Sequence, residues 1–555
     1  MACTPPVNYE NYTHHDLLCR IIELEAKLRV LNASQPPPTT PPKYQKKPRK
    51  EPKPFDPSRY HSRFIALKFA YLGGNYNGFE HHTNNTTPLP TIEEEIWKAL
   101  RKTRLIFPTF AAGRSEEEVC WDGVEYSKCG RTDRGVSAFG QVIAVRVRSS
   151  QPKGKGGEEG VGGGENESVH DGVEDAAAEP TWDSVRDEMP YIQLLNRVLP
   201  SDIRILAWCP DPPADFSARF SCKERRYRYF FTNPAYACGP NAREGRLDTD
   251  AMQVAAKKLE GLHDFRNLCK VDPSKQLASF ERRVFHAGIH AVGSSVSSAR
   301  SVGNGVTNGF TFHSHHLSKP DLYYFEVRGS AFLWHQVRHM VAILFLVGQG
   351  YEDPSIVDEL LNIDSCPGKP VYDMADDQPL VLWDCIFPAN VDASSRDHSI
   401  HDVAAASGHE DALEWVYVGD QAGGNDAAKR AVPGVDDGLY GLNGITDSVW
   451  ALWRKRKMDE VLAGSLLDIV GSLGSRTSSS GGAKAVAPRP EVEEINSRSD
   501  RVFDGSDRPR TVGKYLPLMQ REKLETPDVV NERYAVRKGL QPRAVGGSHE
   551  VDINE

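Results

Sequence analysis

Apolar and polar positions alternate with period two along several short stretches of this chain and recur at helical spacing along others. Phe64–Leu72, Gln141–Arg148, Ile203–Trp208, Val284–Val292, Tyr323–Val327 and Pro379–Phe387 read as strands, with a further strand near Val119–Tyr126. Between them lie helical patterns. Ile92, Ile96 and Leu100 share a face behind Thr91 and Glu94, a capping-box pair. Tyr191–Leu199 is amphipathic and ends at Pro200, and Asp250–Leu259 is helical. Ser330–Gly348 is apolar all round, with Ser330 as its expected cap, which marks a buried helix. Short strands alternating with single helices fit a ferredoxin-like α+β half.

Outside that body the pattern changes. Leu17, Ile21, Leu24, Leu28 and Leu31 follow coiled-coil spacing over residues 16–32. This helix either pairs with a second copy, packs on its own body, or frays. The expected organisation is an N-terminal coiled-coil helix (1–34), a Pro/Lys-rich linker (35–59), an N-terminal half (60–210), a C-terminal half (211–390), a low-complexity region (391–510) with a helix at 448–467, and a C-terminal segment (511–555). Residues 151–188 read as a disordered acidic insertion, too poor in large apolar groups to fold. Lys46–Lys50 is a solvated linker, a nuclear-import signal or a phosphate-contacting arm.

The total charge of −9 argues against a polyanion partner until its distribution is read. Residues 151–188 and 391–448 each carry 11 acids and 3 bases, so the remainder is +7, a basic body. The ten cysteines show no metal-ligand spacing, which predicts no metal site and a reducing compartment. Met340–Val347 is too short to span a bilayer, and no glycine fingerprint for a nucleotide cofactor is present. His313, His315 and His316 read as an exposed loop rather than as metal ligands.

Candidate chemistry centres on Lys128–Ile143. Gly130 and Gly135 bracket Arg131-Thr132-Asp133-Arg134 just before a strand, which places Asp133 in a tight loop between guanidinium groups. Such a carboxylate is either a structural ion pair or an ionised nucleophile or base, with arginines suited to phosphate. Downstream, Tyr227 and Tyr229 alternate with Arg226 and Arg228, so aromatics and guanidiniums face opposite sides of a strand.

Gly130–Gly135 resembles the catalytic motif of the TruA-type tRNA pseudouridine synthases. Further motifs resemble that family in order across residues 60–388. They include Ala218-Arg219-Phe220 with Arg226-Tyr227-Arg228-Tyr229, His263-Asp264-Phe265, and the helix carrying Arg338. Bacterial members usually have alanine where Arg134 stands, and basic residues occur there in eukaryotic relatives. Phe265–Lys270 resembles the eukaryotic branch that modifies anticodon-arm positions 38 and 39. The resemblance implies an α+β pseudouridine synthase fold, two ferredoxin-like halves sharing a central antiparallel sheet with an RNA-binding cleft between them. It implies Asp133 as nucleophile or 2′-proton acceptor, Tyr227 as base-stacking and proton-transfer residue, and Arg338 as ion-pair partner of Asp133. Arg131, Thr132, Arg134, Arg219, Arg226, Arg228 and Leu380 would contact substrate. It further implies a tRNA anticodon arm as partner, a homodimer, no cofactor, no membrane, and residence in cytoplasm and nucleus. The alternatives are a eukaryotic synthase of broader target range and a non-catalytic tRNA-binding chaperone.

Overall fold

The computed structural model describes residues 14–34, 55–82, 87–111, 115, 117–152, 182–236, 245–292, 321–389, 409–420, 438–440, 444–472 and 500–540. Two compact units result, Met1–Pro57 and Ser58–Glu555. The first contains α1 (His14–Ser34), on which Leu17, Ile21 and Leu24 are exposed. The histidine loop and the basic run at 46–50 lie outside the described residues.

The second unit is built on one ten-stranded sheet. Its first half runs β1 (His61–Tyr71), α2 (Ile92–Lys102), β2 (Ser127–Lys128), β3 (Ser137–Ser149), α3 (Tyr191–Asn196) and β4 (Ile203–Cys209). Its second half runs β5 (Glu224–Asn233), α4 (Thr249–Lys257), β6 (Gly261–Asp264), β7 (Glu281–Ala291), β8 (Asp321–Gly329), α5 (Gln336–Gly348), α6 (Ile356–Leu361) and β9 (Leu380–Ile386). Thr91 caps α2 by accepting from the Glu94 amide, as its spacing predicted. Strand order is β10-β4-β1-β3-β9-β5-β8-β7-β6, where β10 is Val416–Tyr417 and β2 pairs with β3. The pairings are antiparallel except between β3 and β9, where Ser137 meets Val381 and Ala138 meets Leu382 in parallel. Strand β9, read from sequence as closing the body, therefore lies at its centre.

Each half has its own core. In the first, Ile65, Leu67, Phe69, Ile92, Ile96, Leu100, Tyr191 and Trp208 are buried. That core extends beyond residue 210 to Phe216 and Cys222, and takes Leu382, Cys385 and Phe387 from β9. In the second, α5 is buried along its whole length against Tyr229, Phe231 and Phe325. Its Phe345 ring meets Tyr229 at 5.8 Å and Phe503 at 4.8 Å.

Several stretches depart from the sequence reading. Residues 119–126 form a turn rather than a strand, and pairing begins at β2. Residues 182–188, assigned to the acidic insertion, are packed. The Glu188 side chain is fully buried, accepting from Ser149 Oγ at 2.6 Å and from the Ser150 amide at 2.8 Å. Within 391–510, residues 409–420 extend the sheet through β10, and α7 (Ile445–Ser472) exceeds the expected helix at both ends. Acidic composition concealed the short apolar run Leu413, Trp415, Val416 and Val418 that packs on the first core. β11 (Asp500–Val502), also within 391–510, is followed by β12 (Arg510–Val512) and, in the C-terminal segment, α8 (Pro527–Lys538); Val502, Phe503 and Leu518 join the second core.

Glu224, fully buried at the start of β5, ties residue 409 to the sheet. It accepts from Arg226 Nε at 2.7 Å, Arg328 Nε at 2.8 Å and the His409 amide at 3.0 Å. Burial pushes its carboxyl up, but Arg328, the His409 amide and Arg226 outweigh that and hold it at about 2. The folded value lies below the unfolded one, so ionised Glu224 stabilises fully above about pH 4.5 and loses that contribution as pH falls toward 2. Denaturant unfolding of wild type and Glu224→Gln should differ most near neutrality, and the gap should close on acidification. A gap independent of pH would rule this account out.

Candidate active site

The loop joining β2 to β3 is held from several sides. Gln141 accepts from the Gly130 amide at 3.2 Å and donates to the Gly130 carbonyl at 3.0 Å. Thr132 Oγ1 meets the buried Tyr71 hydroxyl at 2.6 Å, and the Thr132 carbonyl accepts from the Phe79 amide at 3.0 Å. Gly135 has φ +80°, and a Cβ there would collide with the Asp377 carboxylate. Only glycine fits this backbone. The loop turns at Asp133, whose carbonyl accepts from the Val136 amide at 3.2 Å.

The Asp133 side chain is half-buried, and the His335 imidazole faces it. The His335 Nε2 stands 3.5 Å from Asp133 Oδ2. His335 precedes α5 in the left-handed region, φ 60° and ψ 10°. A non-glycine residue there costs about 1–3 kcal/mol and persists where surrounding contacts fix it, often at functional sites. Its ring is nearly buried, lies tilted against Trp334 at 4.8 Å between ring centres, and leaves Nδ1 buried without a hydrogen-bond partner. Trp334 is exposed, and Lys270 lies over it at 4.3 Å from the ring centre. Lys270, Trp334, His335 and Asp133 thus form a ladder from solvent to the loop.

The expected Arg338–Asp133 ion pair does not form. Helix α5 starts at Gln336, not at Ser330, and the left-handed turn brings the imidazole to Asp133 instead. One turn on, the Arg338 Nε donates to the Ala375 carbonyl at 2.7 Å, and its Nη2 is 3.8 Å from Asp377 Oδ2. Burial raises the Asp377 carboxyl, with Arg338 opposing and Asp133 adding to the rise. Asp377 therefore shares the Asp133 field.

Tyr227 is half-buried, edge-on to Phe332 at 5.2 Å. Loss of water pushes its hydroxyl well above the usual value, and the Asp133 charge pushes the same way. Asp133, Tyr227, His335, Arg338 and Asp377 therefore cluster on the side of the sheet that carries α5. Arg131 and Arg134 are exposed at the loop's rim, Arg131 paired with Glu80 at 3.2 Å. Arg219 is half-buried beside the exposed Phe220.

Arg226 and Arg228 lie on the opposite face, as the strand alternation requires. Arg226 is committed to Glu224, and Arg228 to Glu326 at 2.8 Å and to the Trp383 ring at 4.0 Å. Neither shares the Asp133 face. Leu380 is 4% exposed and belongs to the second core. His335, Trp334 and Asp377 escaped the sequence reading. The Ser330–Gly348 run reads as continuous helix, and only the backbone turn at 335 separates the imidazole from it.

Comparison with known proteins accords with this arrangement. A family profile described as tRNA pseudouridine synthase matches residues 255–388. A Saccharomyces cerevisiae protein named tRNA pseudouridine(38/39) synthase is 32% identical over 547 residues, covering 96% of this chain and 92% of the relative. The chain belongs to the tRNA pseudouridine synthase family. The Homo sapiens protein named tRNA pseudouridine(38/39) synthase is 44% identical over 336 residues, 60% of this chain. The match spans 57% of that relative's length. The Methanothrix thermoacetophila tRNA pseudouridine synthase A is 28% identical over 58% of the chain and 82% of its own length. This synthase-family chain thus keeps its similarity through the region holding Arg338, His335 and Asp377.

Because the Tyr227 hydroxyl is pushed upward, it should remain a phenol where exposed tyrosines ionise. Ultraviolet titration curves of wild type and Tyr227→Phe should superimpose up to about pH 11. A wild-type excess of one phenolate near pH 10 would contradict the assigned environment.

Proposed function

We propose that this protein isomerises uridine to pseudouridine at positions 38 and 39 of the tRNA anticodon stem-loop. The observation that carries the proposal is the Asp133 carboxylate, fixed at a loop tip beside His335 and Tyr227 with Arg131 and Arg134 at the rim. The relatives' shared name and the placement of Lys270, from the Phe265–Lys270 stretch, against the exposed Trp334 support the positional assignment.

The reaction breaks N1–C1′, turns the uracil and joins C5 to C1′. All atoms stay, and no electrons are gained or lost. A stacked uridine must first leave the stem-loop. Arg131 is exposed enough to exchange Glu80 for RNA and fill the vacated space with its planar guanidinium. Asp133 then attacks C1′ or removes the 2′ proton. His335 orients the carboxylate. Tyr227 offers a ring for the base and a hydroxyl that relays the departing C5 proton to solvent while N1 takes one up.

Pseudouridine mapping on unmodified anticodon arms with uridine at 38 or 39 tests this reading. Wild type should give product at those positions. Asp133→Ala should bind RNA and give none. His335→Gln should lower the rate by about 10²-fold with binding retained, as expected for a lost orienting contact. Binding without product from wild type would favour the chaperone reading, and product at other uridines would favour the broader-range synthase.

We further propose a homodimer that works in both cytoplasm and nucleus, supported by the family resemblance and by the basic run at 46–50. Light scattering at the monomer mass would refute the dimer. Unchanged distribution of a tagged chain after neutralising that run would refute its import role.

A further inference from the structure

Three cysteines widely separated in sequence meet beneath the candidate active site. Cys129 follows β2 next to the Gly130–Gly135 loop, Cys222 precedes β5, and Cys385 lies within β9. All three are buried, and their sulfurs lie within 4.8 Å of one another. Tetrahedral zinc with Zn–S near 2.3 Å needs sulfurs about 3.8 Å apart, so a small contraction closes the triad on an ion.

A second feature points the same way. Arg225 is half-buried beside the triad. It donates to the carbonyls of Ser330 at 2.7 Å, Cys129 at 3.1 Å, Arg219 at 3.1 Å and Cys222 at 3.5 Å. Among the described residues it pairs with no carboxylate. Among those residues its positive charge therefore lacks an acidic counterpart, while the three cysteine sulfurs lie close to it.

We propose that Cys129, Cys222 and Cys385 form a binding site for one thiophilic divalent cation, with zinc as the fitting ion. Three Zn–S bonds form and the thiol protons leave to solvent. The zinc tris-thiolate carries one negative charge, which Arg225 balances. A monovalent ion of the same softness would leave one charge over. The fourth zinc position falls to water. The ion would join the catalytic loop to β9 and to the approach to β5, where the two halves meet. This inference is independent of the reaction assigned above. Spacing along the chain concealed the site, because its ligands are brought together only by the sheet.

The test uses the full-length, reduced protein. After zinc loading and gel filtration, elemental analysis should find about one zinc per chain. Cobalt substitution should add tetrahedral visible bands and a thiolate-to-cobalt charge-transfer band in the near ultraviolet. Cys222→Ala and Cys385→Ala should lose both signals, while Cys209→Ala, a buried cysteine outside the triad, should keep them. Wild type that retains no zinc and shows no charge-transfer band overturns the proposal, and this arm does not depend on any variant folding. Signals that persist in Cys222→Ala and Cys385→Ala also overturn it, by locating the metal elsewhere.

Discussion

Two residue pairs, Ser137 with Val381 and Ala138 with Leu382, join the halves of the sheet. A parallel pairing needs a long crossover, and here most of the folded body lies between the paired strands. Because β9 arrives from the far end of the second half, it inserts between β3 and β5 and fills both cores. Leu382 and Cys385 complete the first core, while Leu380 completes the second. Without that insertion, β3 and β5 would present open edges and the Asp133 loop would have no floor.

The site inherits its composition from that seam. Asp133 and the arginines beside it come from the first half, while Tyr227, His335 and Arg338 come from the second. Asp377, on the approach to β9, neighbours both Gly135 and Arg338. The Arg338 guanidinium thereby holds the β9 approach, and the His335 imidazole is what faces Asp133. A left-handed histidine is locally unfavourable, and the neighbouring Trp334 ring and the start of α5 hold it in place.

The opposite face follows a different logic. Arg226 and Arg228 are neutralised there by Glu224 and Glu326, and residues 409–420 cross it from Glu224 to β4. The strand alternation separates the aromatics from the guanidiniums, and both arginines are paired with carboxylates on their own face.

Much of this was present in the residue pattern. The Asp133 loop, the α5 burial, the Thr91 cap and the alternation of β5 are local properties, fixed by glycine freedom, hydrophobic periodicity and side-chain spacing. The order of motifs identified the family for the same reason. Tertiary structure alone decided which carboxylate Arg338 meets, because a guanidinium on a buried helix pairs with whichever acid the fold delivers. It alone placed β9 at the centre, packed residues 182–188 and 409–420, and gathered Cys129, Cys222 and Cys385 across more than 250 positions. Those outcomes depend on sheet order and on contacts between distant segments, whereas the sequence pattern expresses only what neighbouring residues do to one another.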